Sequence, residues 1–336
     1  MAVLKSGRVS IVIAAWNLRA HLRECLSAVE RESGVRPFDV TVVDNGSSDG
    51  TAEMVAREFP RAVLIRNKTN LGFVRATNAG LRKALAEGRS EYLLLLNADV
   101  VVRDGAVDRL AGYLDAHPEV HAVAPLLLLP DGRPQPGPAG FNPTLGSALA
   151  YFFLAGKILP FAARPLFIDS EAFGSRNGRT RAVAVEWLSG ACLLVRAETV
   201  RRVGLMNEEY YLYADDIEWG VRMSAAGGVL HFLPSVHVTH HHGATVKAVD
   251  RGFNTRWLDQ LFAHVRRDRG AGEAALFRIV AAAGFGLRAL LYALQALRPT
   301  RYASAGLKVR ETLAYAFFSL YLIYPSERSR FSRSLS

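Results

Sequence analysis

The stretch Glu91-Tyr-Leu-Leu-Leu-Leu-Asn97-Ala-Asp99 joins an apolar run to a polar ending. Successive side chains of a strand point to opposite faces, so a strand over this run is apolar on both faces. Strands of that kind lie inside a mostly parallel sheet that is covered by helices. Ligands of such α/β folds bind at the carboxyl ends of the strands. The stretch therefore predicts a sheet core and, at Asn97 and Asp99, a binding site.

The sequence around this stretch alternates strand-like and helix-like segments. Short apolar runs are separated by segments with apolar residues at helical spacing, and the order βαβαβαβ is typical of an α/β sandwich with right-handed crossovers. The predicted strands are residues 9–15, 40–44, 62–66, 91–97, 185–195 and 228–240, and the predicted helices are residues 20–33, 49–59, 72–87 and 216–226.

Two regions are predicted along the chain, an α/β catalytic domain over residues 1–250 and a helical extension over residues 251–336. Half of all residues are apolar (50%), so a packed core is expected. Residues 126–184 are rich in Pro, Gly and aromatic residues and have no clean period. We expect a variable region there, on the acceptor side of the site.

The net charge of +10 is concentrated in the extension. Residues 251–336 contain 14 Arg or Lys and 5 Asp or Glu, a net charge of +9, so the first 250 residues are almost neutral. A basic segment can meet nucleic acid, an anionic membrane or neither. These charges alternate with long apolar runs and not with a nucleic-acid-binding motif, so we predict no nucleic-acid partner.

Two apolar runs dominate the extension, residues 276–297 and residues 313–324. Arg278 and Arg288 interrupt the first run, and the second is too short to span a bilayer. We predict that both runs form helices in a membrane interface, with a basic side toward anionic lipid headgroups. The alternative is a helical pair that packs on the catalytic domain or on a second subunit of a homo-oligomer.

The cysteines and the N-terminal residues bear on the compartment. Cys25 and Cys192 are the only cysteines and form no CxxC pair, which fits a reducing cytosol. No long apolar segment precedes Val9, so no secretory signal is expected. We therefore predict a cytoplasmic protein that is peripherally associated with the inner face of the cell membrane.

Polar residues recur where the predicted strands stop. Asn17 follows the first strand, Asp44 ends the second, and Asn97 and Asp99 follow the fourth. Each one alone fits an ordinary turn or helix cap, but the series indicates one shared crevice. A carboxylate at Asp99 suits a hard divalent cation, Mg²⁺ or Mn²⁺. The absence of a GxxxxGK[ST] loop disfavours kinase or ATPase chemistry.

Five segments of the sequence resemble a family 2 glycosyltransferase of the GT-A fold, in the branch that contains bacterial rhamnosyltransferases. The resemblance covers about residues 9–245. Its segments are residues 9–17, the run from Asp44, residues 70–80, residues 97–99, and residues 187–196 together with 211–219. It implies a GT-A fold, which is a Rossmann-like mixed, mostly parallel sheet between helices, here with a C-terminal helical extension.

The resemblance also implies where a nucleoside-diphosphate sugar binds. Asp44 would accept a hydrogen bond from the imide N–H of uracil or thymine, with the backbone near Ala15 beside the base. Arg75 and Asn97 would lie near the sugar or the phosphates of the donor. The full set of donor-binding residues implied is Ala15, Asn17, Asp44, Asn70, Gly72, Arg75, Asn78, Asn97 and Asp99.

The metal and the base follow from the same resemblance. Asn97-Ala-Asp99 takes the place of the family's DxD motif, which leaves Asp99 as the metal ligand. His240 would reach the metal or the diphosphate, with His242 as the alternative. Asp215 and Asp216 match the family's Glu-Asp pair, and Asp216 aligns with the base that takes the proton of the acceptor hydroxyl. Without the resemblance, the same acids fit a first helical turn favoured by the helix dipole.

The function expected is therefore that of an inverting transferase that depends on Mg²⁺ or Mn²⁺. The branch favours dTDP-L-rhamnose as the donor, with a UDP-hexose as the alternative, and a lipid-linked or polysaccharide acceptor. One rival is a non-catalytic module that binds nucleotide sugars or glycans. The retention of both Asp99 and Asp216 argues against it.

Overall fold

The computed structural model of the chain describes residues 7–32, 36–154, 164–174, 181–241, 255–296 and 302–321. The strands are β1 Val9–Ala15, β2 Phe38–Asp44, β3 Val63–Arg66, β4 Tyr92–Leu96, β5 Val100–Val101, β6 Val120–Leu128, β7 Ala139–Gly140, β8 Val183–Val185, β9 Trp187–Leu188, β10 Cys192–Arg196 and β11 Val229–His240. The helices are α1 Arg19–Arg31, α2 Thr51–Glu58, α3 Phe73–Glu87, α4 Ala106–Ala116, α5 Leu145–Phe152, α6 Glu171–Gly174, α7 Ala197–Val203, α8 Asp215–Ala225, α9 Arg256–Ala296 and α10 Tyr302–Tyr321.

The chain divides into two compact units. The first, called here the sheet unit, comprises Met1–Asn142 and Phe167–Gly252, and the second, the helical unit, comprises Pro143–Leu166 and Phe253–Ser336. Part of the segment predicted to be variable, residues 143–166, thus belongs with the extension. The assignment of residues 126–184 to the acceptor side of the site stays a prediction.

The sheet unit is built on a mixed sheet with the strand order β3-β2-β1-β4-β10-β6-β11-β5, and β8 pairs with β11 at the side. Its first four strands run parallel to one another, as do β6 and β11. The antiparallel β10 joins the two parallel groups by pairing with both β4 and β6. The predicted fold class is confirmed.

Strand β1 is covered by helices on both of its faces. Ile11 packs in one core cluster with Leu22 and Leu26 of α1. The neighbouring Val12 faces the other way, toward α3, where a Cβ atom on Gly80 would lie 2.4 Å from its Cγ1 atom. The absence of a side chain at Gly80 therefore allows α3 to approach the sheet closely, as expected for a strand that is covered by helices on both faces.

The predicted continuous strand over residues 185–195 is interrupted. The chain leaves the main sheet at β9, which pairs with β7, and rejoins it only at β10. Trp187 of β9 is 2% exposed and lies under α8, where a Cβ atom on Gly220 would approach the Cα atom of Trp187 to 2.6 Å. Packing of this large ring thus overrides the apolar pattern, and residues 189–191 form the turn that follows.

The helical unit has an aromatic core of its own. The ring of Phe152 in α5 lies 6.3 Å from that of Phe277 and 5.1 Å from that of Phe285, both in α9. Gly284 also meets Phe152, since a Cβ atom there would lie 2.3 Å from the Cβ atom of Phe152. Helix α9 is broken at Gly270, whose φ of 87° is left-handed. The predicted apolar runs are helical as far as the described residues extend.

The two arginines within the first apolar run turn toward this core. The guanidinium carbon of Arg278 lies 4.4 Å from the ring centre of Phe262. Arg288 donates to the carbonyl oxygen of Tyr151 and lies 4.5 Å from the ring centre of that residue. The sequence predicts basic side chains on the outer side of these helices, whereas these two face inward. Among the described helices, Arg256–Gln295 is long and apolar enough to cross a membrane, and 39% of its most apolar window is buried.

Candidate functional site

The ends of several strands meet at one edge of the sheet. Ala15, the last residue of β1, pairs with Asp44, the last residue of β2. Asn97 follows β4 and donates its backbone N–H to the carbonyl oxygen of Ala191, just before β10 (2.9 Å). His240, the last residue of β11, pairs with Val100. The sheet thereby brings these residues, which are distant in sequence, to a common edge.

Asp44 lies in the interior at this edge and retains an unused oxygen. The residue as a whole is 4% exposed. The Oδ2 atom accepts the backbone N–H of Ser47 at 3.4 Å. The Oδ1 atom is buried and has no hydrogen-bond partner among the described residues. Buried polar atoms are usually paired, so an orphaned carboxylate oxygen is an acceptor site for a ligand N–H.

Asn17 and the loop after Asp44 hold each other in place. Asn17 has a left-handed φ of 53°. Its Oδ1 atom accepts the backbone N–H of Ser48 at 2.8 Å, and its own backbone N–H donates to the hydroxyl oxygen of Ser47 at 3.0 Å. In the described structure this amide therefore fixes the shape of the loop beside Asp44.

Asn45 fastens the next loop and is a site residue that sequence reasoning missed. Its side-chain N–H groups donate to the Oδ1 atom of Asn70 (2.8 Å) and to the carbonyl oxygen of Gly72 (3.2 Å). Its Oδ1 atom accepts from the side chain of Asn67 and from the backbone N–H of Leu71. The loop that contains Asn70 and Gly72 is thus tied to the end of β2. The Asp-Asn-Gly sequence after the strand is the signal that could have found it.

Gly72 allows a third segment to close on this loop. Its φ of 88° is left-handed, and a Cβ atom there would lie 2.6 Å from the ring of Tyr211. The next residue, Phe73, donates its backbone N–H to the carbonyl oxygen of Tyr211 (3.1 Å). Residues 70–73 and the segment before α8 therefore pack backbone against backbone.

Two further predicted donor residues, Asn78 and Arg75, contact the same segment. The side-chain N–H of Asn78 donates to the carbonyl oxygen of Met206 (2.8 Å), and its Oδ1 atom accepts the backbone N–H of Met206 (3.1 Å). Arg75 is half-exposed and lies 3.7 Å from a carboxylate oxygen of Glu208, a residue that also pairs with Arg82. In the described structure Asn78 positions the chain before α8, while Arg75 has an exposed guanidinium.

Asp99 and His240 form a buried pair. The Nε2 atom of His240 lies 3.2 Å from the Oδ1 atom of Asp99, and the two residues are 5% and 6% exposed. The other ring nitrogen, Nδ1, lies 2.7 Å from the Oε1 atom of the buried Gln135. Burial alone would raise the pKa of Asp99, but the hydrogen bond and charge of His240, with a contribution from His21, outweigh it and hold that pKa below its ordinary value.

The residues around this pair fit a divalent cation. Asp99 offers a carboxylate oxygen, His240 an imidazole nitrogen, and the Oδ1 atom of Asn97 is buried and has no partner in the described part of the chain. Within the described residues, no three His, Cys, Asp or Glu side chains cluster to hold a metal. Mg²⁺ and Mn²⁺ are suited to such a partial site because phosphate and water oxygens complete their coordination. His242, the alternative ligand, lies outside the described residues.

Asp215 and Asp216 are the first two residues of α8, and two residues with strained backbone angles directly precede them. Tyr213 and Ala214 both have left-handed φ angles, 69° and 58°, which non-glycine residues rarely adopt. Asp216 accepts the backbone N–H of Gly190 with Oδ2 (3.2 Å) and that of Ile217 with Oδ1 (2.9 Å). The turn after β9 thus orients Asp216.

The two acids differ in exposure and share a raised pKa. Asp215 is 5% exposed, whereas Asp216 is only partly buried. Burial and then the charge of Asp216 raise the pKa of Asp215. Burial also raises the pKa of Asp216, although the backbone hydrogen bonds from Gly190 and Ile217 oppose this. A partly accessible carboxylate with a raised pKa is a stronger base than an ordinary carboxylate and is suited to take a proton.

Comparisons of the sequence point to one enzyme family. Residues 10–162 match the family model of glycosyl transferase family 2. The chain is 29% identical over 238 residues to N-acetylglucosaminyl-diphospho-decaprenol L-rhamnosyltransferase of Mycobacterium tuberculosis, which covers 69% of this chain and 75% of the relative. It is 24% identical over 183 residues to rhamnosyltransferase WbbL of Escherichia coli, which covers 53% of this chain and 63% of the relative.

A solved structure of another glycosyltransferase has the same fold. The mannosyltransferase PcManGT of Pyrobaculum calidifontis, in complex with GDP-Man and Mn²⁺, superposes with a TM-score of 0.58. The superposition covers 96% of this chain and 88% of that one at 18% sequence identity. At that identity the likeness concerns the fold alone, and the predicted GT-A fold is confirmed.

Proposed function

Because this chain is a family 2 glycosyltransferase that resembles bacterial rhamnosyltransferases, we propose that it transfers L-rhamnose from dTDP-L-rhamnose to a hydroxyl group, with inversion at the anomeric carbon. The acceptor we propose is a lipid-linked or polysaccharide glycan of the cell envelope. A UDP-hexose-dependent transferase of the same family is the alternative, since uracil and thymine present the same imide N–H to Asp44.

One observation carries this proposal, namely that three kinds of group needed for sugar transfer occur in the same unit. They are the orphaned oxygen of Asp44, the Asp99 and His240 pair, and the accessible acid Asp216. A nucleotide-sugar-binding module without activity would need the first two but would have no use for a base with a raised pKa.

Asp216 is the base in the proposed reaction. Its carboxylate takes the proton of the acceptor hydroxyl as that oxygen forms a bond to the anomeric carbon. The bond from the anomeric carbon to the donor diphosphate breaks at the same time, and its electron pair leaves with the diphosphate. The backbone N–H groups of Gly190 and Ile217 hold the carboxylate of Asp216 in place. The base therefore has a defined orientation toward the hydroxyl group of the acceptor sugar.

Asp99 and His240, with Asn97 nearby, are the residues that would hold a divalent cation. A cation bound there would neutralise part of the negative charge that develops on the departing diphosphate. Asp44 holds the base of the donor, and Asn45 keeps the loop of Asn70 and Gly72 in place beside it. These contacts support a donor bound across the ends of β1, β2 and β4.

The choice of rhamnose rests on the relatives. The Mycobacterium tuberculosis relative is named as a transferase of L-rhamnose to a decaprenyl-diphosphate-linked N-acetylglucosamine, and the Escherichia coli relative is also a rhamnosyltransferase. The helical unit is basic and rich in apolar residues, which supports the proposal that the acceptor is lipid-linked and is used at the cytoplasmic face of the membrane. Presentation of such an acceptor in two dimensions favours an enzyme that is held at the surface.

The test is release of nucleoside diphosphate from a panel of nucleotide sugars, with and without Mn²⁺. The panel contains dTDP-L-rhamnose, UDP-glucose, UDP-N-acetylglucosamine and GDP-mannose, each with membrane lipid extract as acceptor. We expect dTDP release in the presence of Mn²⁺ and its loss in the Asp216→Asn variant. Turnover of a UDP-hexose alone supports the alternative. Tight binding of a nucleotide sugar without any release would reject the transferase function.

A further inference from the structure

A row of exposed apolar side chains runs along α9 after its break at Gly270. Leu276, Ile279, Leu290 and Leu294 are 54%, 49%, 58% and 55% exposed. Residues spaced by three, four or multiples of seven positions lie on one face of a helix, so these four form one row. The row is about 27 Å long at a rise of about 1.5 Å per residue. We call it the apolar row.

The charged side chains in this part of α9 point inward, whereas those of an ordinary surface helix point toward water. Between residues 274 and 296 the sequence has two charged side chains, Arg278 and Arg288. Both turn inward, over the rings of Phe262 and Tyr151. A helix that faces water places its charges outward and its apolar stripe inward. Here the outward row is uncharged, which indicates an apolar environment on that side.

Exposed cations occur on both helices of the unit. Arg266 and Arg267 are exposed just before Gly270. Lys308 of α10 is also exposed and lies 5.4 Å from the ring centre of Tyr292, a residue on another face of α9 than the row. Residues 251–336 carry a net charge of +9. A basic segment of this kind attracts an anionic partner and repels a second copy of itself.

We propose that the apolar row is the lipid-contacting face of the protein, and that α9 lies along an anionic bilayer with this row among the upper acyl chains. The exposed arginines before Gly270 would then meet the phosphate headgroups. The inward arginines argue against a spanning orientation, because a spanning α9 would place Arg278 and Arg288 at the depth of the hydrocarbon. None of the residues of this surface belongs to the proposed site for sugar transfer, and vesicle binding is measured without any nucleotide.

The first test is co-sedimentation with vesicles of phosphatidylcholine mixed with phosphatidylglycerol. The variant Leu290→Glu/Leu294→Glu places two charges in the row and should weaken binding at least about tenfold, since each leucine loses its apolar burial. The control Ala271→Glu/Gln295→Glu adds the same charge at two exposed positions of α9 outside the row. It should change binding by less than about threefold, because only the electrostatic attraction is reduced.

The second test reports the depth of single positions and does not depend on a charged variant. Cys25 and Cys192 are 0% and 1% exposed and should not react in the folded protein, so one added cysteine can be labelled with a polarity-sensitive fluorophore. On vesicle addition we expect a blue shift for Leu290→Cys and none for Ala271→Cys.

Three outcomes would overturn the proposal. The first is equal vesicle binding by wild type and the Leu290→Glu/Leu294→Glu variant. The second is an equal blue shift at positions 290 and 271, which means that the row is not the face of α9 that enters the lipid. The third is a dimer in vesicle-free solution that the double variant converts to a monomer, which means that a second copy covers the row.

Discussion

The Nε2 atom of His240 lies 3.2 Å from Asp99, while its Nδ1 atom lies 2.7 Å from the amide oxygen of Gln135. An Nε2 atom that binds a metal presents its lone pair, so the hydrogen of the ring would then lie on Nδ1, where the Oε1 atom of Gln135 can accept it. Gln135 is therefore a positioning residue for the proposed cation site.

The Gln135→Leu variant should lower the affinity for Mn²⁺ in the presence of UDP by about 10- to 100-fold, which is the usual loss when an outer partner of a metal-bound histidine is removed. Gln135→Glu keeps an acceptor oxygen and should stay close to wild type. Titration calorimetry with MnCl₂ measures both. Equal affinities for all three proteins would mean that Gln135 has only a packing role.

The Asp44→Ala variant should weaken the binding of both UDP and dTDP. Its orphaned oxygen would lose a charged hydrogen bond to the base, which contributes about 1.5–3 kcal/mol. Asp39, on the same strand but near its start, forms a salt bridge with Arg8, and Asp39→Ala provides a matched control that should leave nucleotide affinity unchanged. Calorimetry with the free diphosphates is the measurement. If Asp44→Ala binds both nucleotides normally, Asp44 does not contact the base.

The Asp216→Asn variant should lose transfer while it keeps Mn²⁺-dependent binding of the donor, because the amide preserves the shape but accepts no proton. In the wild type, burial raises the pKa of Asp216. The base works only when ionised, so kcat/KM should fall as the pH decreases through this raised pKa, above the range of an ordinary carboxyl group. A pH profile that is flat down to about 4 would place the proton acceptor elsewhere.

Asp215→Asn should stabilise the protein at neutral pH. The pKa of Asp215 is raised in the folded chain by burial and by the charge of Asp216. An acid with a raised folded pKa favours folding below its unfolded pKa and loses that contribution as the pH rises through the folded value. The variant removes the buried charge, so its free energy of unfolding should exceed that of wild type by on the order of 1 kcal/mol at pH 8. Thermal unfolding should show the gap closing toward pH 4, and a constant gap would contradict the explanation.

The sequence predicts those features that depend on local pattern. The apolar run of β4 and its polar ending identify the central strand and place Asn97 and Asp99 at the edge where the other strand ends also meet. The role of Gln135 could not be predicted, because it depends on the pairing of β6 with β11, which aligns Leu128 with Thr239. That contact joins residues more than a hundred positions apart, and an irregular segment gives no periodic signal for it.

The break within residues 185–195 and the inward arginines of α9 were missed for a similar reason. Alternation and charge describe a segment alone, whereas Trp187 and Arg288 take their positions from partners on other elements. Tertiary contacts override local preference in such cases. The roles of the predicted donor residues stay predictions, although the structure gives Asn17 and Asn78 clear positions in the loops around the site.

The helical unit is assembled from two separate parts of the gene product, an internal segment that carries Phe152 and the C-terminal helices that carry Phe277 and Phe285. Neither part can bury its aromatic rings without the other. During synthesis, Phe152 emerges from the ribosome long before its partners and stays exposed until the last helices are made. The same dependence should hold in evolution, so that homologues without the C-terminal helices are expected to lack the internal helix as well.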